Sequence, residues 1–481
     1  MNWRAIARLL GLLLAIYSLG FVPSLGVSLW CADGEAQHFL IATLMTAVAG
    51  LLIWLPVRRD RSELLVRDGF LVVALFWAVL GVVGGIPFFL GLHLDLTDSV
   101  FEAVSGFTTT GATVIVGLDQ LPPSILYHRQ QIQWLGGMGV IVLAVAILPL
   151  LGVGGMQLFR AEASGIAKEE KLTPRITHTA QALWVLYFGL TFACALAFWL
   201  AGMSVFDAVG HAYTTLATGG FSTHDASMAF FDSVVIELIC IVFMLLGGIN
   251  YAVHYLVWRR RSLLQYLGDT EVRTYLLLFA AFTLAVAATL YLVGTYAGAG
   301  ESLRQASFQA ASIITSTGFG TATFADWPLH LPLMLAILSF IGGCAGSTAG
   351  GIKVVRIVLL AKMGSRQMFA LAHTRAVVPI KLGRRRVPEE VVYSVWGYYS
   401  LYVLTSLVLC VAMMAAGLDL VSAFGAVTAS INLLGPGLGE VATTFVSVGP
   451  VVKWLAVFAM LVGRLEVFTL LILFTPAFWR N

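Results

Sequence analysis

Phe101–Thr113 reads FEAVSGFTTTGAT, a run of apolar and small residues that ends in three threonines and a glycine. The design recurs at Phe308–Gly318, FQAASIITSTG, with matches at the phenylalanine, at the Ala and Ser positions and at the Thr-Gly end. Looser copies stand at Thr215–Ser222 (TLATGGFS) and Ser430–Leu438 (SINLLGPGL). Their glycines, Gly111, Gly220, Gly318 and Gly435, lie 109, 98 and 117 residues apart, the length of a repeated unit. One glycine turn can simply break a helix or let two helices pack closely. Four at this spacing, each between a short and a long apolar segment, indicate a repeated turn that re-enters a membrane. Phe206 opens VFDAV as Phe101 opens VFEAV, but it stands four residues farther from its glycine, so the register of the second copy is left open.

Composition sets the solvent. Of 481 residues, 59% are hydrophobic and 11% charged, which describes a polytopic membrane protein. The net charge of +3 is too small and dispersed for a nucleic-acid surface. Cys31, Cys194, Cys240, Cys344 and Cys410 form no CxxC pair and read as small apolar fillers, with neither disulfide nor metal implied. Arg4 and Arg8 precede an apolar run without a clear cleavage site, so a retained first helix is expected. Neither HExxH nor GxSxG occurs, and His211 and His254 read as packing residues, so an enzyme is not expected.

A span needs about 20 apolar residues. That ruler places full spans at 7–29, 38–57, 69–91, 132–158, 181–202, 234–257, 274–295, 329–367, 391–416 and 451–476. Shorter stretches at 98–110, 204–218, 303–317 and 420–434 end at the four glycines and fit half-helices. The predicted fold is all-α, with ten transmembrane helices. An N-terminal pair (1–67) precedes four pseudo-symmetric helix, half-helix, helix repeats at 68–165, 166–270, 271–385 and 386–481. Of the 28 Lys and Arg residues, all but Arg129, Arg304, Lys453 and Arg464 fall on one face, including Arg58, Arg59, Arg61, the segment from Arg160 to Arg175, Arg259–Arg261 and Arg384–Arg386. The positive-inside rule then puts both termini in the cytoplasm.

Non-helical chain at membrane depth is tolerated only where it is buried or lines a wet cavity. Four turns meeting on one axis would aim carbonyl oxygens at a shared point and replace the hydration shell of a monovalent cation. A half-helix entering from outside also directs the negative end of its dipole at the bilayer middle.

At these residues, and at Gln133–Phe159 (QWLGGMGVIVLAVAILPLLGVGGMQLF), Gly342–Arg356 (GGCAGSTAGGIKVVR) and Asn432–Gly439 (NLLGPGLG), the chain resembles the Trk/Ktr/HKT superfamily of potassium transporters, most closely its bacterial TrkH/TrkG branch. The resemblance covers nearly the whole chain and implies four M1-P-M2 repeats around one pore. Glycine in all four turns implies K+ permeation, where a serine in the first is associated with sodium. The implied filter comprises Thr109, Thr110 and Gly111, then Thr218, Gly219 and Gly220, then Ser316, Thr317 and Gly318, then Leu434 and Gly435, acting mainly through backbone carbonyls on K+. The fourth turn departs from the Thr-Gly form with Leu434-Gly435-Pro436, which leaves its register open.

Residues 329–367 are too long for one span and are interrupted at 342–351 by GGCAGSTAGG. Five glycines in ten residues do not hold a helix, because each costs about 1 kcal/mol relative to alanine. An intramembrane loop is expected there, on the cytoplasmic side of the third turn, where it could plug the path. The family reads the corresponding loop as a gate, which here comprises Gly342, Gly343, Gly346, Ser347, Thr348, Gly350 and Gly351. GSTAGGIK lacks the GxxxxGK[ST] order of a phosphate loop. Arg464 lies midway along the last span and is expected to hydrogen-bond loop carbonyls as a positive barrier, with an interhelical salt bridge as the alternative. Lys353 is either a second barrier charge or a residue that snorkels to the interface. Asp98, Glu102 and Asp207, near half-helix starts, either draw cations inward or are ordinary first-turn acids.

The expected function is potassium uptake across a bacterial inner membrane by a channel-like pore that binds no cofactor of its own. The alternative is a carrier or symporter coupled to H+ or Na+, for which Glu466, deep in a span, is the main candidate. No polar loop is long enough for a nucleotide-binding domain, so the family implies a separate NAD- or ATP-binding regulatory subunit of TrkA type on the basic face. It also implies a homodimer.

Overall fold

The computed structural model describes residues 1–60, 62, 65–142, 176–328, 330–374, 376, 378–383 and 385–480. The first repeat's second helix beyond Val142, the basic 160–175 segment with the expected boundary at 165, and Arg61 and Arg384 lie outside the described residues.

The N-terminal pair consists of Trp3–Cys31, with a 3-10 stretch at Ser18–Phe21, and Ala36–Val57. The two approach through glycines. A Cβ on Gly11 would lie 2.9 Å from the Gly50 carbonyl oxygen, and one on Gly50 would lie 2.5 Å from the Ala15 nitrogen. Small residues that let backbones touch are how helices associate in lipid, where apolar burial offers little drive. Arg67–Gly91 then packs on the first half-helix through Gly81 and Gly84, where a Cβ would meet Val104 and Phe107 at 2.3 and 2.5 Å.

Four half-helices form at Leu96–Phe107, Val205–Leu216, Ala299–Ile314 and Leu420–Ile431. Three start where a short polar side chain takes up a free amide of the first turn. Asp95 accepts from the Asp98 N–H, Ser204 from that of Asp207, and Asp419 from those of Val421 and Ser422. The end at which the half-helices begin is termed the outer end below.

Besides the three helices above, Gln181–Leu200, Thr270–Val293 and Glu389–Ala415 are apolar and long enough to cross a membrane. Two of the expected continuous spans are corrected. Val234–Gly247 and Tyr251–Arg260 meet at 100°, and Pro450–Leu465 and Val467–Phe474 meet at 115°. The third repeat's second helix is split as expected, into Leu331–Ile341 and Val354–Ala372. A short antiparallel hairpin pairs Lys381–Leu382 with Arg385–Arg386.

Large apolar side chains face outward, and hydroxyls gather at the centre of the molecule. Leu52, Leu200, Leu292 and Val411 are exposed, whereas Ser105, Thr108, Thr110, Thr215, Ser312 and Thr317 are fully buried. Apolar flanks around a hydroxyl-rich centre suit a chain whose outside faces lipid and whose axis faces a polar path.

Candidate functional site: a ring of four turns and the loop beneath it

Each half-helix ends four residues before its glycine, and the four exits share one wiring. The amide of Thr110 donates to Ser105 O, Gly219 to Thr214 O, Thr317 to Ser312 O and Leu434 to Ala429 O, at 2.8 to 2.9 Å. This six-residue closure is the Schellman motif, which puts its penultimate residue in the left-handed region. Glycine usually stands there. Here the position is held by Thr109, Thr218, Ser316 and Leu433, with φ of 56°, 51°, 52° and 59°. Side chains resist this conformation, and such strain collects at functional sites. Two residues on, Gly111, Gly220, Gly318 and Gly435 also have positive φ, between 77° and 89°, with a negative φ in between. Alternating the sign of φ along an extended chain turns successive carbonyls to the same side, and glycine allows the second reversal. The register left open in the second and fourth copies is therefore that of the first, and Leu433 joins the fourth turn.

The turns meet in a closed cycle. A Cβ on Gly111 would lie 2.1 Å from Gly219 O, one on Gly220 2.0 Å from Thr317 O, and one on Gly318 2.0 Å from Leu434 O. One on Gly435 would lie 2.8 Å from Thr110 O, which closes the ring. Each glycine thus faces the main-chain oxygen of the residue before the next glycine, in the order of the repeats.

Buried side chains brace the ring from behind. Gln133 donates from Nε2 to Gly219 O at 2.6 Å and accepts from the Phe221 N–H at 3.0 Å. Glu102, expected near the entrance, is fully buried: it accepts from Arg129 Nε at 2.8 Å, from the Val114 N–H at 2.9 Å and from Thr113 Oγ1. Arg129 continues to Ser222 O at 3.2 Å, so this pair ties the first turn to the second. His211 bridges Asp207 O and Ser222 Oγ, each at 2.9 Å, and His254 bridges Tyr266 Oη and Leu246 O, both as packing residues. Asp98 pairs with Lys453 at 2.6 Å, and Asp207 accepts from Ser204 Oγ and Thr223 Oγ1, each at 2.7 Å. Arg304 reaches Glu237 at 2.7 Å and Asp232 at 3.3 Å. The three cations set apart by the charge pattern, Arg129, Arg304 and Lys453, are thus each held by a carboxylate.

Below the ring lies the 342–351 loop. Its base is closed by Ile352 N–H to Phe340 O and Lys353 N–H to Ile341 O, at 2.9 and 3.0 Å. Thr348 Oγ1 lies within 3.0 to 3.2 Å of Leu216 O, Gly247 O and Thr218 Oγ1. The Gly350 N–H donates to Ser316 Oγ at 2.5 Å, and a Cβ on Gly350 would lie 2.1 Å from Asn432 O. The loop therefore touches the second, third and fourth turns. It also explains the 100° bend, because a helix broken at Gly247–Asn250 exposes carbonyls and amides that the loop takes up: Cys344 N–H donates to Gly248 O, and Gly346 O accepts from the Tyr251 N–H.

Arg464 is 5% exposed and donates to Thr348 O and Gly136 O, both at 3.0 Å, so it spans from the loop to the first repeat's second helix. Its helix ends one residue later. Glu466 has φ 63° at the 115° bend, so helical periodicity does not relate it to Arg464; it binds Arg356 at 2.9 Å. The Arg356 guanidinium also lies 4.0 Å over the Tyr398 ring. Lys353 turns back to donate to Ala349 O within the loop, instead of running out to an interface. Gln133, Leu433 and Arg356 were missed by sequence reading. The first stood inside a quoted motif, QWLGG, and only its depth behind the second turn distinguishes it from any membrane glutamine.

A family model described as TrkH, cation transport protein, matches residues 35–481. The chain is 50% identical over 483 residues to the Trk system potassium uptake protein TrkH of Halomonas elongata, with all of both chains covered. It is 51% identical over 486 residues to the Escherichia coli K12 protein of that name, again with full coverage of both. The Trk system potassium uptake protein TrkG of E. coli K12 is 37% identical, with 99% of each chain covered. The crystal structure of the potassium transporter TrkH from Vibrio parahaemolyticus superposes with a TM-score of 0.93 at 48% identity and covers all of both chains.

Proposed function

The chain belongs to the TrkH family of cation transport proteins, a transporter family and not an enzyme family, and from that premise we propose that it takes up potassium through a channel-like path across a bacterial inner membrane. The observation that carries the reading is the closed cycle in which each of Gly111, Gly220, Gly318 and Gly435 faces a main-chain oxygen of the next turn. A bare K+ is held by carbonyls of Thr109–Gly111, Thr218–Gly220, Ser316–Gly318 and Leu433–Gly435, which stand in for its water shell. The C-terminal ends of four half-helices add negative potential on the same axis. At the outer end, the carboxylates of Asp98, Glu102 and Glu237 cancel Lys453, Arg129 and Arg304, so these cations do not repel an arriving ion.

The 342–351 loop, with Gly342, Gly343, Gly346, Ser347, Thr348, Gly350, Gly351 and Lys353, is the gate, and Arg464 is the positive barrier beneath the ring. Ions pass when the loop leaves Thr218 and Ser316. A H+- or Na+-coupled carrier would use Glu466 as its acid, but that carboxylate is engaged by Arg356. The basic face is cytoplasmic and receives a nucleotide-binding subunit of TrkA type, and two copies form a homodimer.

Single-channel recording of the reconstituted protein tests the path. Unitary currents selective for K+ over Na+ are expected; slow saturating flux that requires a proton gradient would establish the carrier instead.

A further inference from the structure

Glu271 hydrogen-bonds both the 342–351 loop and the helix that follows it. Its Oε1 accepts the Ala345 N–H at 2.8 Å and the Val355 N–H at 3.1 Å, two amides ten residues apart in sequence. The second of these belongs to the first turn of Val354–Ala372, where amides have no partner within the helix. That helix cannot cap itself. Its N-cap position is Lys353, at φ 84°, and no side chain there bonds the first turn. Glu271 supplies the missing acceptor from another helix, at the terminus where the helix dipole favours an anion.

The carboxylate is itself fixed. Glu271 lies in the first turn of Thr270–Val293, whose N-cap Asp269 accepts from the Glu271 and Val272 amides at 2.9 and 3.0 Å. Just before it stands the short helix Leu264–Gly268, whose Tyr266 hydroxyl meets His254 at 2.7 Å. The connection between the second and third repeats therefore ends on a group that grips the base of the loop.

We infer that Glu271 is a positioning residue for the gate: it clasps the 342–351 loop to the helix that follows it and so holds Thr348 and Gly350 against the second and third turns. Raising the loop separates Ala345 from Val355 or tilts both, and either movement breaks a bond to the same oxygen. Displacement of the 262–269 segment, by a partner or otherwise, draws Glu271 away and frees the loop. The inference rests on the reading of this loop as the gate.

The test is Rb+ influx into liposomes carrying the full chain without any regulatory subunit, for the parent protein, Glu271→Ala and Glu271→Gln. In parallel, Cys344, which is fully buried in the loop, reports loop position through its labelling rate once Cys31, Cys194, Cys240 and Cys410 are replaced by serine. Glu271→Ala is expected to raise influx about tenfold, the factor that corresponds to about 1.4 kcal/mol. It should also speed Cys344 labelling and leave the K+/Na+ preference unchanged. Glu271→Gln keeps an acceptor oxygen without the charge and is expected to fall between. Folded variants with parental influx and parental labelling would overturn the clasp. If neither variant elutes as folded protein, Glu271 is a structural anchor and the inference is also overturned. Faster labelling without added influx would leave the clasp standing and refute the loop as gate.

Discussion

Arg464 and Thr348 are joined by a 3.0 Å hydrogen bond from the guanidinium to a loop carbonyl, and the same guanidinium reaches Gly136 O on another helix, also at 3.0 Å. A buried arginine held by two carbonyls and the face of Trp77, with no carboxylate partner among the described residues, retains its positive field, because dipoles orient it without cancelling its charge. It is thus both a tether and a barrier. Arg464→Ala removes both, and Rb+ influx in liposomes should rise by about tenfold or more, since hydrogen bonds from a charged group contribute about 1.5–3 kcal/mol each. Unchanged influx in folded protein would remove the barrier role.

Gly111→Ala places a methyl group 2.1 Å from Gly219 O, at a φ of 81° that an L side chain resists. The neighbouring turn must move, and its carbonyls with it. We expect Gly111→Ala to abolish growth of a K+-uptake-deficient bacterium at low potassium while the protein still reaches the membrane. Growth equal to the parent would refute backbone contact between the turns.

Gln133→Leu leaves Gly219 O and the Phe221 N–H without their buried partner, at about 1–3 kcal/mol for each group. The second turn loosens while the others keep their supports. Ion competition should therefore show weaker preference for K+ over Na+, with the protein still folded. A selectivity ratio like that of the parent would assign Gln133 to packing alone.

Glu102→Ala strands Arg129 in a site where both side chains are at most 1% exposed. Breaking one partner of a buried pair costs about 3–5 kcal/mol, whereas replacing both by apolar residues of similar size is often neutral. The single variant is expected to melt well below the parent in detergent. Glu102→Leu with Arg129→Met is expected to recover most of the loss, and a double variant no more stable than the single would contradict this account.

At the outer end the hydrogen bond from His224, at 2.5 Å, holds the Asp119 carboxyl below the usual carboxylate range. A carboxyl whose folded pKa is depressed stabilises the fold above its unfolded value, near about 4, and loses that effect as pH falls through the lower folded value. The difference in melting temperature between the parent and His224→Ala should therefore shrink as the pH falls below about 4. A difference that widens below about 4 would reverse the sign.

Hydropathy and spacing made the half-helices legible, because short apolar runs between long ones have few places to go in a bilayer. Each half-helix was located to within a few residues of its observed ends. The bends at Gly247–Asn250 and at Glu466 were not legible. Hydropathy is blind to direction, and a broken helix is as apolar as a straight one. Leu433 escaped for a related reason: leucine is a poor left-handed residue by propensity and is held there by a ring that its own segment cannot indicate. Glu102 was read near the entrance because an acid in a first helical turn usually faces water, and its partner Arg129 lies on another helix.

What the chain determined locally was where apolar stretches lay, where they had to turn and which connecting segments carried positive charge, since each depends only on the nearby density of apolar, glycine and basic residues. What required the folded molecule was every closure between repeats. The cycle of glycines, the seat of Thr348 between the second turn and the helix break at Gly247, the pairing of Arg356 with Glu466 and the grip of Glu271 all join groups distant in sequence. Main-chain oxygens have no residue signature, so where they converge is settled only when the helices pack.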